Sequence, residues 1–199
     1  MPKVPIPDEP LPKVFALTTP VHLLRKLWWE VKEFEAAEND NSELGTHLIV
    51  AYHAMNCAVT AWHMADWVWL HGGEDQRHHL FAMLELEQEN FTTFVAYLRR
   101  NSRALNCCRD IATGSKHMRL ERKGSDPDVE AEVVWDMEPM TVNSPVDAPL
   151  CRYTARLVVH DGQGARSARD VFREAFQYWE AFLAKCGYIE DRFVSGNRE

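Results

Sequence analysis

Apolar positions recur at helical spacing through the first half of the chain. Pro20 predicts the start of a first helix, because the first helical position does not need the missing N–H of proline. A second, longer helix is predicted from a cap at Ser42 to a stop at Gly72–Gly73. The apolar stripe of the first helix is Val21, Leu24, Leu27, Trp28, Val31 and Phe34. One apolar line on the second helix is Leu48, Tyr52, Met55, Val59 and Trp62.

The second helix carries a polar line beside its apolar one. His53, Asn56, Thr60, His63 and Trp67 follow spacings of 3, 4, 3 and 4, and Asp66 lies one turn after His63. Buried polar groups need partners, since an unsatisfied one costs about 1–3 kcal/mol. The line therefore indicates either a hydrogen-bond network between helices or part of a binding site.

A third helical region is predicted from about residue 74 to 100, with a break near Asn90, and a short helix over 104–113 that ends at Gly114. Beyond it, residues 117–122 alternate in the manner of a strand, and two further strands are predicted over 131–137 and 153–160. Ser167 predicts the cap of a last helix, which runs to Lys185 with Gly187 past its end.

These elements predict an α+β fold that is mostly α. We expect a helical bundle, a small three-stranded antiparallel meander at about residues 117–160, and a C-terminal covering helix. Residues 18–199 form one predicted domain. Residues 1–17, which hold five of the ten prolines, predict an extended N-terminal arm.

The composition suits a protein of the cytoplasm. A chain of 199 residues can bury a core without disulfides, and its five cysteines include the adjacent pair Cys107–Cys108, which indicates reduced thiols. No apolar run reaches the length of a membrane span, and the first residues lack the apolar core of a signal peptide. We therefore expect no membrane partner.

The net charge is −8, but one stretch of the chain is basic. Between residues 95 and 124, eight basic residues face two acids. A focused positive region on an acidic protein indicates an anion site, although a solvated basic face would give the same charge pattern.

The most unusual cluster lies inside that stretch, from Cys107 to His117. Arg109 suits bidentate contact with a phosphate, Lys116 supplies a point charge, and His117 transfers protons near neutral pH. Asp110 or Asp66 would orient these groups. Such a set matches metal-free cleavage of a phosphodiester by its 2′-hydroxyl. Further binding candidates are Thr113 and Ser115 nearby, and Asn56, His63 and Asp66 if the polar line faces this segment.

Arg109, Asp110 and the downstream His117 resemble the arginine–polar–histidine motif of the HEPN superfamily. Seven residues separate Arg109 from His117. The resemblance implies a metal-independent ribonuclease of a toxin–antitoxin or phage-defence system, which acts as a dimer with facing motifs. RNA or a nucleotide would be the ligand.

Two alternatives remain open at this point. Aromatic residues beyond the core stripes (Trp29, Trp67 and Trp69) indicate a homodimer, so a non-catalytic helical dimerisation or ligand-binding module also fits. Nine histidines admit a metalloprotein, but none of them forms a His-Glu-x-x-His or Glu-x-x-His pattern. We therefore predict no metal and no cofactor.

Overall fold

The structure is a computed structural model, and it describes residues 17–39, 46–71, 73–114, 126, 128–139 and 151–189. In these residues it is mostly helical with one three-stranded antiparallel sheet, which confirms the predicted α+β class. The elements are α1 (Pro20–Asn39), α2 (Thr46–His71), α3 (Gly73–Met83), α4 (Phe91–Asn101), α5 (Arg103–Gly114), β1 (Val129–Pro139), β2 (Cys151–Asp161), β3 (Ala165–Ser167) and α6 (Ala168–Lys185).

Three of the predicted helix boundaries agree with local backbone chemistry, whereas the predicted cap at Ser42 lies outside the described residues. Helix α1 begins at Pro20. The break near Asn90 is confirmed, because the Asn90 side chain accepts a hydrogen bond from the Thr93 N–H at 2.9 Å and caps α4. Ser167 Oγ accepts from the Arg169 N–H at 3.2 Å and caps α6.

The core lies between α1, α2, α5 and α6. The α1–α6 contact includes Phe34 and Phe172, whose rings meet edge to face at 5.2 Å. Trp179 of α6 is fully buried, and its indole N–H donates to the backbone carbonyl of Ala61 in α2 at 2.8 Å. The C-terminal helix therefore covers the bundle, as predicted.

Helix α2 turns its smaller side chains toward the core. The predicted apolar line does not face inward: Leu48, Tyr52 and Met55 are 49%, 60% and 38% exposed. Small residues allow neighbouring helices to approach closely, so the bundle packs on the alanine-rich face and leaves the larger side chains outside. The buried face comprises Val50, Ala54, Cys57, Ala58, Thr60, Ala61, Met64, Ala65 and Val68.

The sheet has the order β1-β2-β3. β1 and β2 pair antiparallel over their full length, from Val129 opposite Asp161 to Pro139 opposite Cys151, which confirms the strands predicted over 131–137 and 153–160. The strand predicted over 117–122 falls outside the described residues. The third observed strand, β3, pairs with β2 from Val158 opposite Ser167, and its three residues are too few to show a sequence period.

A glycine is required where the chain leaves β2. Gly162 has a φ of +78°, and a Cβ added there would lie 2.8 Å from the Cβ of Asp128. Both the left-handed backbone and the close approach exclude larger residues. This turn brings the end of β2 against the start of β1.

None of the helices in the described ranges is both long and apolar enough to cross a membrane.

Candidate anion-binding site

Asp110 of α5 lies at the centre of the candidate site. It is 2% exposed, and both of its carboxylate oxygens accept hydrogen bonds. Oδ1 accepts from Arg109 Nη1 at 2.8 Å, and Oδ2 accepts from the backbone N–H of Asp126 at 3.0 Å. Burial raises the pKa of Asp110 above its ordinary value, against the opposing effect of the Asp126 N–H and the nearby arginines. Asp110 is therefore placed to hold its neighbours, with both oxygens engaged.

Two guanidinium groups act electrostatically on this one carboxylate. Arg109 extends from α5 and its side chain is 21% exposed. Arg99, from the preceding helix α4, also acts electrostatically on Asp110, and its Nε donates to Asn106 Oδ1 at 2.7 Å. Arg99 and Arg109 therefore both act on Asp110 at a partly exposed surface, and the Asp126 carboxylate acts on it as well.

A second set of bonds, called the second layer below, connects this part of α5 to the sheet. Arg103 pairs with Asp126 and donates to the backbone carbonyl of Asp161. Asn106 Nδ2 donates to Asp126 Oδ2 at 3.0 Å. The Arg103 guanidinium holds the pKa of the Asp126 carboxyl below its usual value. Together these bonds anchor α5 to the start of β1 and the end of β2.

Sequence reasoning missed most of this second layer. Asn106, Asp126 and Asp161 were not candidates, although Arg103 belongs to the basic stretch. Their partners lie 20 to 58 positions apart in the chain, so no local spacing brings them together. The available signal was indirect, since a run of arginines on buried helices requires acids from elsewhere.

The other candidates on this segment divide into two groups. Thr113 donates its hydroxyl to the backbone carbonyl of Arg109 at 2.8 Å, within its own helix. Ser115, Lys116 and His117 lie outside the part of the chain that the structure describes.

The candidates on α2 are carried by a helix that packs against α5. Asn56 is exposed, whereas His63 and Asp66 are partly buried. Thr60, from the same polar line, accepts a hydrogen bond from Lys26 Nζ of α1 at 2.6 Å. The Thr60 contact is a bond between helices, which is one of the two roles predicted for this line.

Four cysteines of the described residues are free thiols. Cys57, Cys107 and Cys108 are buried, and Cys186 is partly buried. Burial raises the pKa of Cys107 to about 11 and that of Cys186 to about 12. Since the thiolate is the reactive form, these groups are poor nucleophiles near neutral pH. The prediction of reduced thiols is confirmed for these four.

In the described ranges, no cluster of three or more His, Cys, Asp or Glu side chains is arranged to hold a metal ion.

Comparison of the chain with protein-family models, curated proteins and solved structures finds no match. The HEPN resemblance of the Arg109–His117 segment therefore stays a prediction.

Proposed function

We propose that this protein binds a phosphate-bearing ligand, with RNA as the ligand class, at the guanidinium pair of Arg99 and Arg109. The observation that carries the proposal is the arrangement around Asp110: Arg109 donates to this buried carboxylate, and Arg99 from the preceding helix acts electrostatically on it. Two guanidinium groups at a partly exposed surface can together attract an anionic group.

Guanidinium groups suit phosphate because their planar N–H fork matches two phosphate oxygens. Asp110 orients the Arg109 fork through its Oδ1, and Asn106 orients Arg99 through its Oδ1. The side chains are therefore partly ordered before a ligand arrives, which lowers the entropy cost of binding. In this proposal Asp110 is a positioning residue.

The catalytic extension of the proposal is metal-independent cleavage of RNA. The 2′-hydroxyl oxygen attacks the adjacent phosphorus, the bond to the 5′-oxygen breaks, and a 2′,3′-cyclic phosphate and a 5′-hydroxyl form. His117 would move a proton between these oxygens, and Lys116 and Arg109 would stabilise the charge on the phosphorane. The roles of Lys116 and His117 rest on the sequence alone, and a toxin or phage-defence role rests on the HEPN resemblance.

Binding is tested by fluorescence anisotropy of a labelled RNA oligonucleotide at low salt. Arg109→Ala should weaken binding about tenfold or more, because a hydrogen bond to a charged group contributes about 1.5–3 kcal/mol. Arg156→Ala is the matched control, since it removes the same charge from an exposed pair on β2. Equal weakening by the two variants, or no RNA binding by the wild type, would contradict the proposal.

Cleavage is tested separately, with the wild type and His117→Ala incubated with RNA in the presence of a chelator. We expect 2′,3′-cyclic phosphate ends from the wild type and none from the variant. Cleavage that survives in His117→Ala would remove this residue from the mechanism.

A non-catalytic binding module is the second candidate. The observation in its favour is that both oxygens of Asp110 are occupied and its partners stabilise the fold. RNA binding without cleavage by the wild type would select this candidate.

A further inference from the structure

One face of α2 exposes large apolar side chains to solvent. Leu48, Ile49, Tyr52 and Met55 are 38–60% exposed, and Trp135 of β1 is 47% exposed. Trp135 meets α2 at its N-terminal end, where its ring lies 5.0 Å from that of His47. These five residues are called the α2 apolar face below.

The face follows the spacing of a helix that packs against another helix. Leu48, Tyr52, Met55, Val59 and Trp62 recur at intervals of 4, 3, 4 and 3, which is the heptad pattern of a coiled-coil seam. Val59 and Trp62 are partly buried, so the exposed part of the seam is its first half. Within the described residues, α1, α5 and α6 pack on the alanine-rich side of α2, and the sheet lies beside Met55.

Helix α2 also lacks the charges of an ordinary surface helix. Asp66 is the one Asp, Glu, Lys or Arg residue among its 26 residues. A helix that is apolar on most sides is normally buried in its functional state. Moreover, α2 itself has no charged side chain near Tyr52 and Met55, and Glu132 of β1, which lines the cleft beside Met55, is paired with His160.

We propose that a second copy of this chain covers the α2 apolar face, with the two α2 helices packed antiparallel about a two-fold axis. An axis between Tyr52 and Met55 sets Tyr52 of each copy opposite Met55 of the other, so that the seam closes on itself. The face exposes on the order of 500 Å², a large part of the roughly 800 Å² that each partner buries in a standard interface.

An apolar cleft beside the seam supports the same arrangement. It has a volume of about 210 Å³ and lies between α2, α5, α6 and the sheet. Met55, Ile111, Val133, Leu157 and Phe172 are among the residues that line it. Apolar cavities of about 150 Å³ accept a benzene ring. The cleft therefore has room for an aromatic ring from the opposite copy, and Tyr52 is the nearest such ring on the seam.

The oligomeric state of the full chain tests the proposal. It is measured by light scattering after size exclusion and by sedimentation from 1 to 100 µM, a range of about two decades in which a typical specific dimer assembles. The wild type should have twice the chain mass of 23.0 kDa. Tyr52→Glu should raise the dimer dissociation constant about 100-fold or more, because it places a charge in the seam. Leu70→Glu is the matched control, since Leu70 is 71% exposed on the same helix but lies off the seam. It should stay dimeric.

A wild type that is monomeric throughout this range would overturn the proposal, as would equal dissociation of Tyr52→Glu and Leu70→Glu. Circular dichroism confirms that each variant is folded. In a second measurement, an equimolar mixture of the single variants Tyr52→Cys and Met55→Cys should form a mixed intermolecular disulfide on mild oxidation, with each variant alone and the oxidised wild type as background. No cross-link above that background would exclude the antiparallel register. These outcomes do not depend on RNA binding.

Discussion

The Asp110 site of α5 and the α2 apolar face both reverse the usual rule that charged side chains are exposed and apolar side chains are buried. At α5, the charged Asp110 is 2% exposed and is held by Arg109 and a backbone N–H. On α2, Tyr52 is 60% exposed although it belongs to the most regular apolar line of that helix.

The difference shows that partners decide burial as much as side-chain type does. A carboxylate can be buried when donors reach both of its oxygens, since its hydrogen bonds replace those of water. An apolar side chain stays outside when the core is filled by other residues, because close packing of small side chains leaves no room for it. A buried charge and an exposed apolar seam are each informative about contacts beyond the local helix.

The largest expected difference in unfolding free energy is between two methionines on opposite faces of α2. Met64 is fully buried, whereas Met55 is 38% exposed. Met64→Ala should lower the free energy of unfolding by about 3 kcal/mol, because it leaves a cavity in the core. Met55→Ala should lower it by about 1 kcal/mol or less. Urea denaturation of both variants measures the contrast, at a fixed low protein concentration so that self-association does not contribute. Equal losses would mean that the assigned orientation of α2 is wrong.

The Asp110 corner should show a somewhat smaller effect. Asp110→Ala should cost about 2–3 kcal/mol in unfolding free energy, since it leaves the Asp126 N–H and the Arg109 guanidinium without their acceptor. Asp110→Asn should cost less, because an amide oxygen still accepts a hydrogen bond and carries no charge to desolvate. Asp136→Ala, at an exposed pair with Arg156, should cause no measurable change in thermal or chemical unfolding. Similar losses for Asp110→Ala and Asp136→Ala would contradict a buried network.

Acid should weaken the second layer of the network in a defined direction. Arg103 lowers the pKa of Asp126 below its ordinary 3.8, so ionised Asp126 stabilises the fold above that value. This stabilisation should disappear as the pH falls through the lowered pKa. The unfolding free energies of the wild type and Asp126→Asn, measured over a pH series, should therefore converge in acid. A difference that persists unchanged in acid would show that the charge of Asp126 does not contribute.

The candidate site was predictable in part. The basic stretch and the Arg109–Asp110 pair are visible in the sequence, because both are local. Arg99 was noticed only as part of that stretch, and Asp126 was not a candidate for the site. The reason is geometrical: the Asp110–Asp126 contact crosses 16 positions and depends on how the chain returns from α5 to β1.

The sequence by itself determined most of the helices, the two long strands, the break near Asn90 and the cap at Ser167. Each of these follows from periodicity or from hydrogen bonds within a few residues, and such interactions do not depend on the rest of the fold.

Only the tertiary structure decided which face of α2 is buried and which charges meet at Asp110. Periodicity shows that residues share one face of a helix, but it does not show which neighbouring element that face contacts. The neighbour is set by the simultaneous packing of α1, α2, α5 and α6 and by the ion pairs between distant segments, and that information is not local.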